Sequence, residues 1–165
     1  MRVEVEKAPE GVRQTIWNLM QLYFHAMTEF SPREVDNQGL FAYQYFDSYW
    51  SDGDRYPFLI RADSAIAGFA LVRFDEQGRA DMAEFFVLRA HRRGGIGSAA
   101  ARQLFEMFKG RWQVRQEPRN VVAQKFWRGV ISEHTGGDFE DLAEGDDAWR
   151  GPIQRFDSRK TAVAG

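Results

Sequence analysis

Cysteine is absent from all 165 residues. That excludes disulfides, zinc–thiolate centres and cysteine nucleophiles. It also suits a reducing compartment, and the cytoplasm is the expected location. Histidine is scarce: His25, His91 and His134 stand far apart with no metal-ligand or catalytic spacing, so no metal site is expected. No run approaches the ~18 apolar residues of a membrane span. The opening Met-Arg-Val-Glu-Val-Glu alternates charge with valine and does not form an apolar leader. No membrane partner is therefore expected. Net charge is small too, at −2, which gives no overall electrostatic reason to bind nucleic acid.

The small total conceals an uneven distribution. Residues 29–54 hold six acids (Glu29, Glu34, Asp36, Asp47, Asp52, Asp54) and one base, Arg33. Residues 88–128 hold ten bases and two acids, Glu106 and Glu117. Residues 132–149 hold seven acids and no Lys or Arg. Two kinds of ligand on one domain would give such a layout, and so would scattered solvated charge.

The length fits one domain over 1–158, with a small polar tail over 159–165. Val3 and Val5 alternate with Glu4 and Glu6 as a half-exposed strand. Ile16, Leu19, Met20, Tyr23 and Met27 recur at helical spacing, which predicts a helix over about 12–29 ended by Ser31-Pro32. A short helix fits near Phe41–Trp50. Runs at 57–62, 66–74 and 82–88 follow, joined by Asp63-Ser64 and Asp75-Glu76-Gln77-Gly78. Such short turns imply an antiparallel meander. A helix over about 98–109, a strand at 112–116, a helix at 121–130 and weak strands at 139–142 and 153–156 complete the order. The βαβ step across 82–116 should pair its strands in parallel. The expected fold is α/β: a central mixed, mostly antiparallel sheet with helices on both faces.

The strongest local feature is Arg92-Arg93-Gly94-Gly95-Ile96-Gly97, between an apolar strand and a helix. Glycines let backbone approach a ligand closely. The first helical turn offers unpaired N–H groups and the positive end of the helix dipole, a site for a pyrophosphate. An exposed flexible turn would also read this way. Gly95-Ile96-Gly97-Ser98-Ala99-Ala100, with Glu117 about twenty residues on, also matches a dinucleotide fingerprint. Three antiparallel strands before it, and too little chain after it for further βαβ units, argue against that reading.

Glu84-Phe85-Phe86-Val87-Leu88 followed by Arg92-x-x-Gly95-x-Gly97 resembles the acetyl-CoA-binding core of the Gcn5-related N-acetyltransferase (GNAT) superfamily, whose motif is Arg/Gln-x-x-Gly-x-Gly/Ala. Asn120, Ala123 and the pair Phe126-Trp127 resemble a second block of that family, one helix and one strand later. The resemblance implies acetyl-CoA as co-substrate. Backbone N–H groups of Arg93, Gly94, Gly95, Ile96, Gly97 and Ser98 would hold its pyrophosphate, with charge from Arg92 and Arg93. Val87 and Leu88 would run beside the pantetheine arm, Asn120 would bond it, and Ala123 and Phe126 would pack along it.

The implied reaction is direct transfer of acetyl to a primary amine of a small molecule or peptide. It needs a base for the amine proton, and Glu84, on the central strand inside an apolar run, is the candidate catalytic residue. A backbone N–H at Val87 or Leu88 would polarise the thioester carbonyl. Trp127 departs from the pattern, because many members carry there a Tyr that protonates the thiolate, and an indole N–H is no useful acid. A CoA-binding module without turnover is the alternative, and a dinucleotide-binding protein a more distant one. The aromatic and acidic 29–54 stretch suits a cationic amine, but would equally serve as core cover with a solvated rim. Oligomeric state and the role of 132–149 are not readable.

Overall fold

Seven strands hydrogen-bond into one sheet, and the order across it explains where the molecule opens. The computed structural model of the chain describes residues 1–162. The strands are β1 (Val3–Lys7), β2 (Arg55–Ala62), β3 (Ala65–Phe74), β4 (Ala80–Val87), β5 (Arg111–Arg115), β6 (Glu140–Leu142) and β7 (Ile153–Asp157), arranged β1-β2-β3-β4-β5-β7-β6. The helices are α1 (Arg13–Met27), α2 (Ser48–Ser51), α3 (Ile96–Met107) and α4 (Val121–Thr135). The expected elements are present, except that the short helix expected near Phe41–Trp50 is confined to Ser48–Ser51, and α4 runs five residues past its expected end, to a Gly136 C-cap at φ 67°.

Neighbouring strands pair antiparallel except β4 with β5. The turn between β2 and β3 puts Asp63 (φ 47°) and Ser64 (φ 72°) both in the left-handed region, the conformation that matches the twist of two paired strands. Alternation along the strands sorts side chains to two faces. Phe58, Ile60, Val72, Met82, Trp112 and Val114 pack under α3 and α4. Leu59, Phe69, Leu71 and Phe86 pack under α1 and α2. The result is a mixed sheet with helices on both faces.

Two departures from regular pairing shape the centre. Leu71 faces Glu84 while Val72 faces Met82, so Ala83 is an extra residue on β4: a β-bulge. The parallel pairing of β4 with β5 covers only Ala80↔Trp112 and Asp81↔Gln113. Beyond those residues β4 remains paired to β3, and β5 follows β7. The strands part, leaving a gap in the middle of the sheet.

The chain beyond β7 stays attached as far as it is described. The Ala162 N–H donates to the His134 carbonyl at 2.8 Å, and Arg159 pairs with Asp157 at 2.5 Å. The rest of the expected tail, 163–165, lies outside the described residues.

Gly68 shows how tightly β3 and β4 approach. A Cβ there would lie 1.9 Å from the Phe86 carbonyl oxygen, a backbone atom that no rotamer change can move. Gly68→Ala is therefore expected to cost about 1–3 kcal/mol. Thermal unfolding should read this as a Tm loss of roughly 2–4 °C per kcal/mol.

Candidate active site

The gap between β4 and β5 is a cleft of about 270 Å³. Met82, Ala83, Glu84 and Phe85 form one wall, and Val114 to Glu117 the other. Asn120, Ala123 and Trp127 come from α4, and Tyr23, Phe24 and Met27 from α1. The bulge decides what points into it. In regular alternation Met82 and Glu84 would share a face. The extra residue leaves Met82 with α3 and α4 and sends Glu84 to the side of α1. There Tyr23 Oη donates a hydrogen bond to Glu84 Oε2.

Burial pushes the Glu84 carboxyl up to about 7, with the Tyr23 hydrogen bond and the Arg115 charge holding it from rising further. Burial, then the nearby carboxylate of Glu84, keeps the Tyr23 hydroxyl well above its ordinary value, so it remains a neutral donor. Tyr23 is wedged against Phe69 and Phe86 with ring centroids 5.6 Å away in each case, which fixes its direction. The pair is thus a carboxyl that titrates near neutrality beside an open cleft.

Beyond the end of β4, the loop before α3 takes an unusual backbone path. Arg93 has φ 68° and Gly95 φ 79°. The left-handed Gly95 followed by the right-handed start of α3 turns successive N–H groups toward one point, as anion-binding nests do. Among the described residues, no side chain caps α3, and the N–H groups of Arg93 to Ser98 donate to no protein acceptor outside the helix. These N–H groups, at an exposed loop and the start of a helix, are of the kind that suit an anion. Arg92 is turned back: its Nε donates to the Val87 carbonyl at 3.0 Å. Gly97 lies against Phe126, where a Cβ would meet the ring at 3.2 Å. Its small size thus serves packing as well as access.

The strand edge narrows one expectation. The Leu88 N–H donates to Ala67 at 2.7 Å, so it is committed to β3 and cannot polarise a carbonyl in the cleft. Alternation then turns the Val87 N–H toward the open side. Asn120 caps α4, its Oδ1 accepting from the Ala123 N–H at 3.1 Å. Its amide NH₂ makes only a long contact with Met27 Sδ, at 4.0 Å, on the cleft side. Ala123 lines the cleft, while Phe126 packs beside Phe85 and Gly97. Trp127 is buried edge-on against Phe85 at 4.9 Å, filling space between α4 and β4.

A family model for the acetyltransferase (GNAT) family matches residues 16–130. The chain belongs to that family. Among solved structures, the acetyltransferase of Thermus thermophilus is similar at TM-score 0.67 and 12% identity, covering 95% of this chain and 97% of that one. The PaiA N-acetyltransferase of Thermoplasma acidophilum, solved with coenzyme A, matches at TM-score 0.63 and 13% identity, covering 95% and 99%. The ribosomal-protein-S18-alanine N-acetyltransferase of Escherichia coli matches at TM-score 0.63 and 12% identity, covering 99% and 97%. No curated protein sequence matches the chain.

Within this GNAT fold the dinucleotide reading loses its support, because β4 closes an antiparallel run and β4–α3–β5 is the single parallel step among the described residues. The acids of 29–54 do not form the wall of the cleft. Arg33 and Ser31 line it, while Asp47 pairs with Arg13 and Asp36 holds a turn through Gln38 and Leu40. The second acidic stretch also finds partners: Glu133 with Arg102, Asp138 with Lys160, Asp141 with Arg128, Asp146 with Arg155 and Asp147 with Arg150. Sequence reading missed Tyr23 as a site residue, since its helical spacing marks it only as core-facing. Its contact with Glu84 spans 61 positions.

Gly94 tests the loop more cleanly than Gly97. A Cβ on Gly94 meets only the Met1 side-chain end, at 3.3 Å, which can swing away. Gly94→Glu should leave Tm nearly unchanged yet abolish stabilisation by CoA in a thermal-shift titration, because it sets a negative charge at the nest. Undiminished CoA stabilisation would mean the anion binds elsewhere.

Proposed function

We propose that the chain is an acetyl-CoA-dependent N-acetyltransferase acting on a primary amine of a small molecule or peptide in a reducing, cytoplasmic setting. The observation that carries this reading is Glu84: a carboxyl titrating at about 7, on a bulge facing a cleft between parted strands. The nest at Arg93 to Ser98 suits the CoA pyrophosphate, with Arg89, Arg92 and Arg93 adding positive charge nearby. The open edge of β4 at Val87 suits the amide groups of a pantetheine arm laid along it like an added strand. Asn120 and Ala123 line the path that arm would take.

Acetyl-CoA supplies the activated acyl group, and the protein's work is positioning and proton transfer. Glu84 accepts a proton from the ammonium form of the acceptor, leaving a neutral nucleophile at the thioester carbon. The Val87 N–H faces the carbonyl oxygen as charge builds on it. After attack the nitrogen sheds one further proton to solvent and keeps the other as the amide N–H, the departing thiolate takes a proton from solvent, and Glu84 returns its proton there before the next turnover. Trp127 cannot provide it. Tyr23 holds the carboxylate by donating to it, which keeps the base ionisable at neutral pH.

A CoA-binding module without turnover is the second reading, favoured by Trp127. CoA release in the presence of a panel of amines separates the two.

Glu84→Gln is expected to lower kcat by about 10²–10⁴-fold with little change in acetyl-CoA affinity. In the wild type, kcat/KM should fall below about pH 7 as Glu84 takes up a proton. Tyr23→Phe removes a hydrogen bond to the carboxylate, so that limb should move to higher pH. Stability carries the same signature. A carboxyl raised from its ordinary 4.5 to about 7 favours the fold at low pH and loses that contribution as pH rises through 7. Glu84→Gln should accordingly raise Tm more at pH 8 than at pH 5. Equal shifts would place the raised carboxyl elsewhere.

A further inference from the structure

A second cavity, of about 340 Å³, adjoins the cleft and shares Ala83, Glu84 and Arg115 with it. Its remaining lining is Tyr43, Tyr45, Arg55 and Arg73. It lies on the α1 side of the sheet, where cross-strand register sets Arg73 of β3 opposite Asp81 of β4. Asp81 Oδ2 receives both Arg73, at 2.8 Å, and Arg115, at 2.9 Å. One buried carboxylate thus serves two guanidiniums. Among the described residues, Arg115 Nε is buried without a partner. Arg55 is separate from that group. Its nearest carboxylate is Asp52, at 4.0 Å, and its guanidinium lies over the rings of Tyr45 at 4.9 Å and Tyr49 at 5.4 Å.

The charge of this wall is decided by counting. The lining itself carries three guanidiniums and one carboxyl, that of Glu84, while Asp81 and Asp52 pair with those arginines from outside it, so the surface offered to a ligand is rich in positive charge. None of the six acids of 29–54 lines it. A polycationic acceptor would be repelled here. An anion would be drawn in and would meet Arg55 in forked geometry. The same positive field lowers the pKa of a nearby ammonium, which favours the neutral nucleophile that attack requires.

We infer that the acceptor is a small primary amine bearing a carboxylate, with its amine at Glu84 and its carboxylate on Arg55, Arg73 and Arg115. This rests on the acetyl-transfer reading for the direction of the amine, and it reverses the cationic acceptor that the acidic 29–54 stretch implied. The aromatic faces of Tyr43 and Tyr45 accommodate the carbon chain between the two ends. A peptide N-terminus or a polyamine lacks the matching anion close to its nitrogen.

The test uses CoA-loaded protein and matched probes: amino acids with α, β and γ spacing, their primary amides, and α,ω-diamines. Calorimetry should give at least about tenfold tighter binding for an acid than for its amide, with diamines weaker still. Arg55→Gln should collapse that acid-over-amide preference, with acetyl-CoA still stabilising the variant as proof of folding. Amides or diamines binding as well as acids would overturn the inference, as would an absence of binding by every acid. CoA release from acetyl-CoA, followed in parallel, is the separate reading. Acids that bind but yield no CoA would contradict acetyl transfer and leave the charge assignment standing. Amides acetylated as fast as acids would do the reverse.

Discussion

The parting of β4 from β5 governs the rest of this molecule. Two strands held by only two register pairs at one end must diverge, because each is bound along its other edge to a neighbour that pulls it away. Within a packed sheet, such a gap exposes backbone groups that ordinarily pair. It persists because the flanking strands, α3 and α4 are fixed by a core in which Ala100, Ala101, Leu104, Phe105, Trp112 and Ile131 are fully buried. The unsatisfied edge thereby stays open to the cleft. The bulge at Ala83 belongs to the same event. It turns Glu84 from the α3–α4 side of the sheet to the α1 side, at the mouth of the gap.

Electrostatics around that gap divide into two regions. On one side the nest before α3 presents partial positive charge from backbone N–H groups, a field that does not depend on pH. On the other, Arg73 and Arg115 share Asp81, and Arg55 rests on tyrosine rings. Glu84 stands between them, and its environment balances burial against a tyrosine donor. A fully buried, unpartnered carboxyl would be a poor base at neutral pH because it would stay protonated. A solvated one would ionise too readily to hold a proton. Tyr23 keeps Glu84 between those limits.

The local chemistry was largely legible in the sequence. Asp63-Ser64 marked a tight hairpin, Gly95 and Gly97 marked a strand-to-helix loop, and apolar periodicity placed the strands and main helices within a few residues. The basic excess of 88–128 was legible only as a sum. Four of those bases, Arg102, Lys109, Arg115 and Arg128, are engaged in ion pairs, so the excess does not sit at one site. What depends on pairing between distant segments could not be read. The extra residue at Ala83 is defined only against β3, and the Tyr23–Glu84 bond joins α1 to β4. The acids of 29–54 misled for a related reason: proximity in sequence said nothing of which side chains line the cavities, and Tyr43, Tyr45 and Arg33 do so while the acids turn to solvent, to Arg13, to Arg55 or to a turn.

Direct titration of the Glu84 carboxyl bears most closely on the central claim. Carbon-13 NMR of selectively labelled protein, with Glu84→Gln to assign the resonance, would follow it across the pH range. The account predicts a midpoint at about 7, moving upward in Tyr23→Phe. A midpoint near the ordinary carboxylate value of 4.5, unmoved by that substitution, would contradict it.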